Sequence, residues 1–149
     1  MLLRPIGPAP GRIADGKLVA WALCCFDIAL GGACLVWPSL YALVIHPRLA
    51  DPQLDLIQRT GMLWLMYTGI AGFAATRGEA QRGRWFFVLG VIRLIEVPTD
   101  LLYGVVARGA VWYSRVLLFG APAINLAAGL FLIALTRELA RGRSFSTRS

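Results

Sequence analysis

Charged residues are scarce in this chain of 149 residues: Asp, Glu, Lys and Arg make up 15% of it, whereas hydrophobic residues make up 58%. A soluble domain carries roughly 25% charged and about 45–50% apolar residues. The mean hydropathy of +0.66 points the same way. This composition excludes an ordinary water-soluble domain and favours a single domain dissolved in lipid.

The sequence also lacks most of the residues from which cofactor and metal sites are built. Its only histidine is His46, and its three cysteines, Cys24, Cys25 and Cys34, form no C-x-x-C motif. One histidine cannot supply both axial ligands of a bis-histidine haem, and no spacing suits zinc, a phosphate-binding loop or a nucleophile elbow. We therefore predict no cofactor and no metal. The cysteines are interpreted as small buried hydrophobes and His46 as an ordinary loop residue.

A net charge of +7 and a pI of about 10.2 raise the alternative of a nucleic-acid-binding protein. The arginines, however, lie in short clusters between long apolar runs and form no continuous basic face. Arginines and tryptophans are typical of membrane–water boundaries, and the chain contains five tryptophans. We therefore predict the lipid bilayer, and no nucleic acid, as a partner.

Four long apolar runs predict an all-α integral membrane bundle of four transmembrane helices. A run of about 20 residues is long enough to cross a hydrocarbon core of about 30 Å. Asp27 in the middle of the first run argues against a cleaved signal peptide. The predicted spans lie in a transmembrane domain of residues 15–137 and cover about residues 17–37, 52–76, 85–107 and 111–136.

The segments outside the spans are interpreted from their turn-forming residues. Residues 1–14 are rich in Pro and Gly and are predicted to be disordered, whereas residues 138–149 are predicted to form a basic, mobile tail. Residues 38–50 are interpreted as an interfacial loop. Asp15 and Asp51 are placed as the N-caps of the first two helices.

The distribution of Lys and Arg predicts the orientation in the membrane. The N-terminal segment, the 77–84 turn and the C-terminal tail contain Arg4, Arg12, Lys17, Arg77, Arg82, Arg84, Arg137, Arg141, Arg143 and Arg148. The other two loops contain only Arg48, Arg59, Arg108 and Arg115. Because cytoplasmic loops carry the excess of positive charge, both termini and the 77–84 turn are predicted to be cytoplasmic. The Arg-, Ala- and Gly-rich composition favours a multi-pass protein of a bacterial inner membrane.

The third predicted span contains ionisable residues at membrane depth. Arg93, Glu96 and Asp100 fall within an arc of about 60° on one helical face. Arg93 and Glu96 lie close to the middle of the span, and Asp100 lies about 6 Å further along. Such side chains cost several kcal/mol in contact with lipid, so all three are predicted to face the interior of the bundle. Pro98, which has no N–H, is expected to weaken or kink this helix.

The other spans supply polar residues at a similar depth, namely Asp27, Thr68 and Asn125. We predict that these residues and the three charged residues of the third span form one polar layer near the midplane, a candidate ligand or proton site. Three carboxyls then face one guanidinium, which leaves two negative charges unmatched. Bound protons, a cation or basic ligand, or a positive residue of a partner protein would complete the layer. The structural alternative is that its ion pairs only fix helix register.

The layout of four helices in 149 residues, with cytoplasmic termini, resembles that of small bacterial membrane families such as the DoxX-like proteins. The acidic sequence Glu96-x-x-Thr99-Asp100 within a span is similar to that of sterol-isomerase-type (EXPERA) bundles, which hold carboxyls in a membrane pocket. Both resemblances rest on architecture and two or three residues, so no family site is carried over.

Three function classes remain open, and no catalytic residue is assigned. The first is an accessory or assembly subunit of a larger membrane complex, favoured by the small size and the absence of a recognisable catalytic set. The second is a binding protein or enzyme for an apolar ligand, such as a quinone, sterol-like or isoprenoid molecule. In that case Glu96 and Asp100 would protonate or orient the ligand beside Arg93. The third is proton or ion conduction by an oligomer.

Overall fold

The computed structural model describes residues 10–50 and 52–146, and within them the chain folds into five α-helices without any β-strand. The predicted all-α class is therefore confirmed. In chain order the helices are α1 (Pro10–Val36), α2 (Pro38–Ile45), α3 (Leu54–Thr76), α4 (Glu79–Val106) and α5 (Trp112–Ser146).

The first helix starts earlier than predicted, which corrects the expectation that residues 1–14 are disordered. α1 begins at Pro10, so residues 10–14 are helical and Asp15 lies inside the helix instead of at its N-cap. Proline is tolerated in the first turn, because its missing N–H would have no intrahelical partner there. Residues 1–9 lie outside the described residues.

The predicted interfacial loop of residues 38–50 contains the short helix α2. Pro38 occupies the first helical position, and the helix buries Ala42 and Ile45 on its inner side. The hydroxyl of Ser114 on α5 donates to the Val44 carbonyl oxygen at 2.7 Å, so this end of α2 is fastened to α5. The predicted N-cap Asp51 lies outside the described residues, and Gln53 directly precedes α3.

The last helix continues well beyond its predicted end, which corrects the expectation of a tail from residue 138. α5 remains helical to Ser146, and residues 147–149 lie outside the described part of the chain. Two contacts hold the extension in place. Leu139 packs against the main apolar core, and the carboxylate of Glu138 forms an ion pair with Arg12 on α1.

The four long helices pack mainly as two pairs, α1 with α3 and α4 with α5. Each pair contains a close approach of two glycines. A methyl group at Gly31 would lie 2.8 Å from the carbonyl oxygen of Gly61, and one at Gly129 would lie 2.9 Å from that of Gly90. Such distances are too short for any side chain, so glycine at these positions lets the helix backbones touch.

The two ends of the molecule differ in composition. We call one the basic end (residues 10–17, 77–84 and 136–141) and the other the loop end (residues 37–50, 52–53 and 106–112). The main apolar core lies between the middle of the molecule and the basic end. It consists of Ala20, Leu23, Cys24, Ala71, Ala74, Ala75, Phe86, Leu89, Leu132 and Leu135. A smaller apolar cluster of Ile45, Ala107 and Leu118 lies at the loop end.

Gly109 allows the two loops of the loop end to meet. Its φ of +72° lies in the left-handed region, which favours glycine. Its carbonyl oxygen accepts a hydrogen bond from the Arg48 N–H at 3.3 Å. A methyl group on Gly109 would lie 2.9 Å from the backbone nitrogen of Leu49, so only glycine fits this contact.

Two of the described helices are long and apolar enough to cross a membrane. They are the segments Gly11–Val36 of α1, with a mean hydropathy of 2.0, and Trp112–Arg141 of α5, with a mean hydropathy of 2.2. α3 and α4 have sufficient length, but Asp55, Gln58 and Arg59 in the first two turns of α3 lower its hydropathy. α4 carries Arg93, Glu96 and Asp100 within its apolar stretch.

Candidate functional site: a polar layer between two helix pairs

One face of α4 carries the polar layer. Arg93, Glu96, Asp100 and Tyr103 follow one another at intervals of three or four residues, so they form a strip from the middle of the helix toward the loop end. The helix continues through Pro98 without interruption. The strip therefore rests on a continuous helix in spite of the hydrogen bond that proline cannot donate.

The centre of the layer is a buried ion triad. The Arg93 guanidinium donates through Nη2 to the Asp27 carboxylate of α1 and through Nη1 to Glu96 Oε2, the latter at 3.1 Å. The side chains of Arg93 and Asp27 are each 2% exposed, whereas that of Glu96 is 13% exposed. The guanidinium carbon also lies 5.9 Å from the centre of the Tyr67 ring on α3. Three helices thus surround one cation.

The Asp27–Arg93 bond joins two helices that have few other contacts with each other. Asp27 belongs to the α1–α3 pair and Arg93 to the α4–α5 pair, so the bond crosses the space between the pairs. Removal of one member of a buried ion pair leaves the other as an uncompensated charge, at a cost of about 3–5 kcal/mol. The triad is accordingly the principal buried polar connection between the two helix pairs, and the more exposed Arg12–Glu138 ion pair also joins α1 to α5.

A second polar pair lies one helical turn further along α4. Asn125 of α5 donates through Nδ2 to Asp100 Oδ2 at 3.2 Å, and Asn125 is 7% exposed. Its donor fixes the orientation of the carboxylate within the α4–α5 pair. Asp100 and Glu96 are separated by a single turn, so two of the three carboxyl groups of the layer lie on this part of α4.

The side chain of Thr68, the sixth residue predicted for the layer, hydrogen-bonds to the backbone of its own helix. Its hydroxyl donates to the Trp64 carbonyl oxygen of its own helix at 3.3 Å. Its carbonyl oxygen accepts from the Cys24 thiol at 3.7 Å. Cys24 and Cys34 are buried, as predicted for small apolar residues, whereas Cys25 is exposed.

His46 and Tyr103 extend the polar strip to the loop end, and sequence reasoning missed both. His46 Nε2 hydrogen-bonds the Tyr103 hydroxyl, and His46 Nδ1 is 2.7 Å from the Arg108 carbonyl oxygen. Because a carbonyl oxygen only accepts, Nδ1 carries the proton in this bond, and Nε2 of a neutral ring accepts from tyrosine. The spacing of Tyr103 after Arg93, Glu96 and Asp100 on α4 was the available sequence signal.

On the side of the layer that faces the basic end lies the main apolar core. Phe86, Leu89, Leu132 and Leu135 are each fully buried there. A surface cavity of about 450 Å³ at the basic end is lined by no residue of the layer, whereas a cavity of about 150 Å³ at the loop end is lined in part by His46. The structure therefore combines three carboxyl groups around one guanidinium with a polar strip that leads to the loop end.

Comparisons with known proteins found no matching family model, no similar curated protein and no similar solved structure.

Proposed function

We propose that the chain is a multi-pass membrane protein in which α1, α3, α4 and α5 each span the bilayer. The proposal is supported by the distribution of side chains, because polar residues lie inside and large apolar residues lie on the surface. Asp27, Arg93 and Asn125 are buried, while Leu, Ile, Val, Phe and Met side chains are exposed along all four helices. In water such a large apolar surface would drive association, whereas in lipid it is the favourable arrangement.

The proposed orientation has both termini and the 77–84 turn in the cytoplasm of a bacterial cell. It is supported by the arginines of the basic end, where α1 and α5 are joined by the Arg12–Glu138 ion pair. The test is a cysteine-accessibility scan in a background without the native cysteines. Labelling by an impermeant reagent is expected at position 108 in whole cells and at position 78 only in broken cells; the reverse pattern would contradict the proposal.

We further propose that the protein is an accessory or assembly subunit of a larger membrane complex. The observation that supports this proposal is the unequal burial of the triad. The side chains of Asp27 and Arg93 are buried, whereas that of Glu96 is partly exposed. Two carboxylates beyond the one matched by Arg93 leave the layer acidic. A basic residue of a neighbouring transmembrane helix would complete this charge at Glu96.

The position of Glu96 on α4 indicates where such a helix would dock. Three turns earlier on the same face, Trp85 packs against Phe73 of α3, with ring centres 5.1 Å apart. Glu96 therefore lies on the α3 side of α4, where the two helix pairs contact each other less closely than the helices within a pair. The neighbouring Ile95 is 64% exposed, so the surface beside Glu96 is apolar and accessible from lipid.

The experiment combines purification in mild detergent with site-specific crosslinking in cells. A photoreactive residue at position 95 is expected to capture one membrane protein, which also co-purifies in stoichiometric amount. Glu96→Gln should abolish both signals, while Glu138→Gln, at the basic end, should preserve both. Capture that Glu96→Gln leaves unchanged, or the absence of any stoichiometric protein, would contradict the assignment.

A second function, the binding of an apolar ligand that carries a carbonyl group, is favoured by one specific atom. Arg93 Nε is buried and has no hydrogen-bond partner among the described residues. Buried donors are normally paired, and a quinone or sterol-like oxygen would be a suitable acceptor. Organic extraction of the purified protein would then yield one stoichiometric small molecule, which Glu96→Gln and Arg93→Gln variants lose.

Proton or ion conduction by an oligomer is less well supported, because the polar strip does not cross the whole length of a single chain. The polar strip leads from the loop end to the triad, and the main apolar core lies between the triad and the basic end. An ion that entered at the loop end would meet fully buried Leu89 and Leu132 beyond Arg93. Transport assays in vesicles test this alternative, and we expect no flux above that of empty vesicles.

A further inference from the structure

An open groove lies between α4 and α5 at the basic end, far from the polar layer. Its volume is about 450 Å³, and it is lined by Gly83, Arg84, Phe87, Val88, Thr136, Leu139 and Ala140. Its surface is almost entirely apolar apart from Arg84. The hydroxyl of Thr136 is already used, because its one hydrogen is shared between the carbonyl oxygens of Gly83 at 3.2 Å and Leu132 at 2.9 Å.

The mouth of the groove lies where the charged residues at the start of α4 give way to apolar ones. Arg84 is exposed and directly precedes Trp85, a residue type that is enriched at the membrane interface. Phe87 and Val88, one turn further into the apolar part of α4, are 49% and 38% exposed. A cationic group thus lies at the mouth of the groove and apolar side chains line its continuation toward the membrane interior.

The positive charge around the mouth of the groove favours an anionic ligand. The exposed Arg77, Arg84, Arg137 and Arg141 all lie at the basic end, where Glu138 is already paired with Arg12. No acidic partner of Arg84 is found among the described side chains. Basic sites between transmembrane helices on the cytoplasmic side are a known way to bind anionic lipid headgroups.

We propose that this groove is a binding site for one anionic phospholipid. The phosphate of the lipid pairs with Arg84, and an acyl chain lies along Phe87, Val88 and Leu139. The proposal rests on the membrane location of the chain but not on its partner or on the polar layer. A lipid held there would cover the joint between α4 and α5 at the end where Thr136 fastens them.

Gly83 offers a matched pair of variants for the apolar part of the site. A methyl group at Gly83 would lie 3.8 Å from Leu139 Cδ1 and 4.0 Å from its Cβ, an ordinary contact, so Gly83→Ala is tolerated. Gly83→Leu directs a larger side chain at the same neighbour and fills the groove. Arg84→Gln removes the charge and leaves the apolar lining of the groove unchanged. Arg108→Gln removes one arginine from the loop end as its control.

The experiment measures binding of phosphatidylglycerol and phosphatidylcholine to delipidated full-length protein in detergent, by native mass spectrometry and by the shift of the unfolding midpoint. Phosphatidylglycerol is expected to bind the unaltered protein and Gly83→Ala more tightly than phosphatidylcholine. Arg84→Gln should weaken phosphatidylglycerol binding about fivefold, as one interfacial charge implies, and leave phosphatidylcholine unchanged. Gly83→Leu should weaken both lipids, and Arg108→Gln neither.

Two results would overturn the site. Equal binding of the two lipids to the unaltered protein would show that Arg84 selects no headgroup. An equal effect of Arg84→Gln and Arg108→Gln would show general attraction of anionic lipid to a basic protein. If Gly83→Leu does not fold, the Arg84→Gln and Arg108→Gln arm still decides. Either negative result leaves the proposed membrane placement intact, because the cysteine scan tests that separately.

Discussion

The two halves of the helix assembly are held together by different interactions. Toward the basic end the helices meet through apolar side chains, among them Phe86, Leu89 and Leu132, all fully buried. Toward the loop end they meet through the polar strip of α4 and its partners on α1, α5 and the loop that follows α2. Arg93 lies at the boundary between the two.

In the proposed membrane placement this difference matters, because lipid offers no hydrophobic driving force between helices. In a bilayer, apolar side chains gain mainly van der Waals contacts when helices associate, whereas buried polar groups must find partners. The apolar half is therefore expected to respond to packing volume. The polar half is expected to respond to the presence of donors, acceptors and charge, and its surplus of carboxyls is the basis of the proposed contact with a partner.

The largest expected effect comes from Arg93→Gln, which removes the only cation of the triad. Asp27 then loses its partner in a buried position, and the free energy of unfolding should fall by about 3–5 kcal/mol. Denaturation in detergent micelles, followed by circular dichroism, measures the change. Arg59→Gln on the exposed side of α3 is the control, with an effect below about 0.5 kcal/mol. Equal stability of both variants would remove the distinction between the halves.

Leu89→Ala tests the apolar half by volume alone. Leu89 is fully buried, and truncation of such a residue should cost about 3 kcal/mol through lost contacts and the cavity left behind. Leu130→Ala on α5, where the side chain is 56% exposed, should have little effect. The same denaturation assay applies. A small loss for Leu89→Ala would mean that the apolar half is loosely packed.

Gly31→Ala sharpens the comparison by testing the helix pairs separately from the space between them. Its methyl group would lie 2.8 Å from the Gly61 carbonyl oxygen, so the α1 and α3 backbones must separate. Overpacking of this kind costs about 1–3 kcal/mol. Gly69→Ala on α3 is the matched control, because a methyl group there meets nothing within 4 Å. If the two variants are equally stable, the close approach of α1 and α3 is not structurally important.

The smallest expected effect comes from Tyr103→Phe, which removes the hydroxyl that binds His46. Tyr103 is 42% exposed, so the loss should be about 0.5–1 kcal/mol. Tyr113→Phe, at a position 40% exposed, should change stability less. Amide hydrogen exchange in residues 46–49 provides a local measurement, and exchange there should be faster in Tyr103→Phe only. Unchanged exchange would separate His46 from the polar strip.

The elements predicted from the sequence are those that depend on local pattern. Apolar runs predicted the four long helices, and the cost of a charge among apolar residues predicted that Arg93 and Asp27 would be buried. The equal depth of Asp27 and Arg93 followed from counting residues along helices that run in the same direction. The structure places these two side chains in direct contact.

The features that were missed depend on residues far apart in the sequence. Glu138 lies within α5 instead of in a tail, and it pairs with Arg12, 126 positions earlier. His46 acquires a role because Tyr103, 57 positions later, lies beside it. α2 was overlooked because an 8-residue apolar helix between two spans has the composition of an interfacial loop. None of these contacts has a signature within a short window of sequence.

The most direct test of the account is a double-mutant cycle on Asp27 and Arg93, with unfolding free energies measured for Asp27→Asn, Arg93→Gln and the double variant. If the bond between these side chains joins the two helix pairs, each single variant loses stability and the double variant is no less stable than Arg93→Gln alone. Losses that simply add would show that the two residues act independently. That result would contradict the central claim that the two helix pairs are connected through this charge pair.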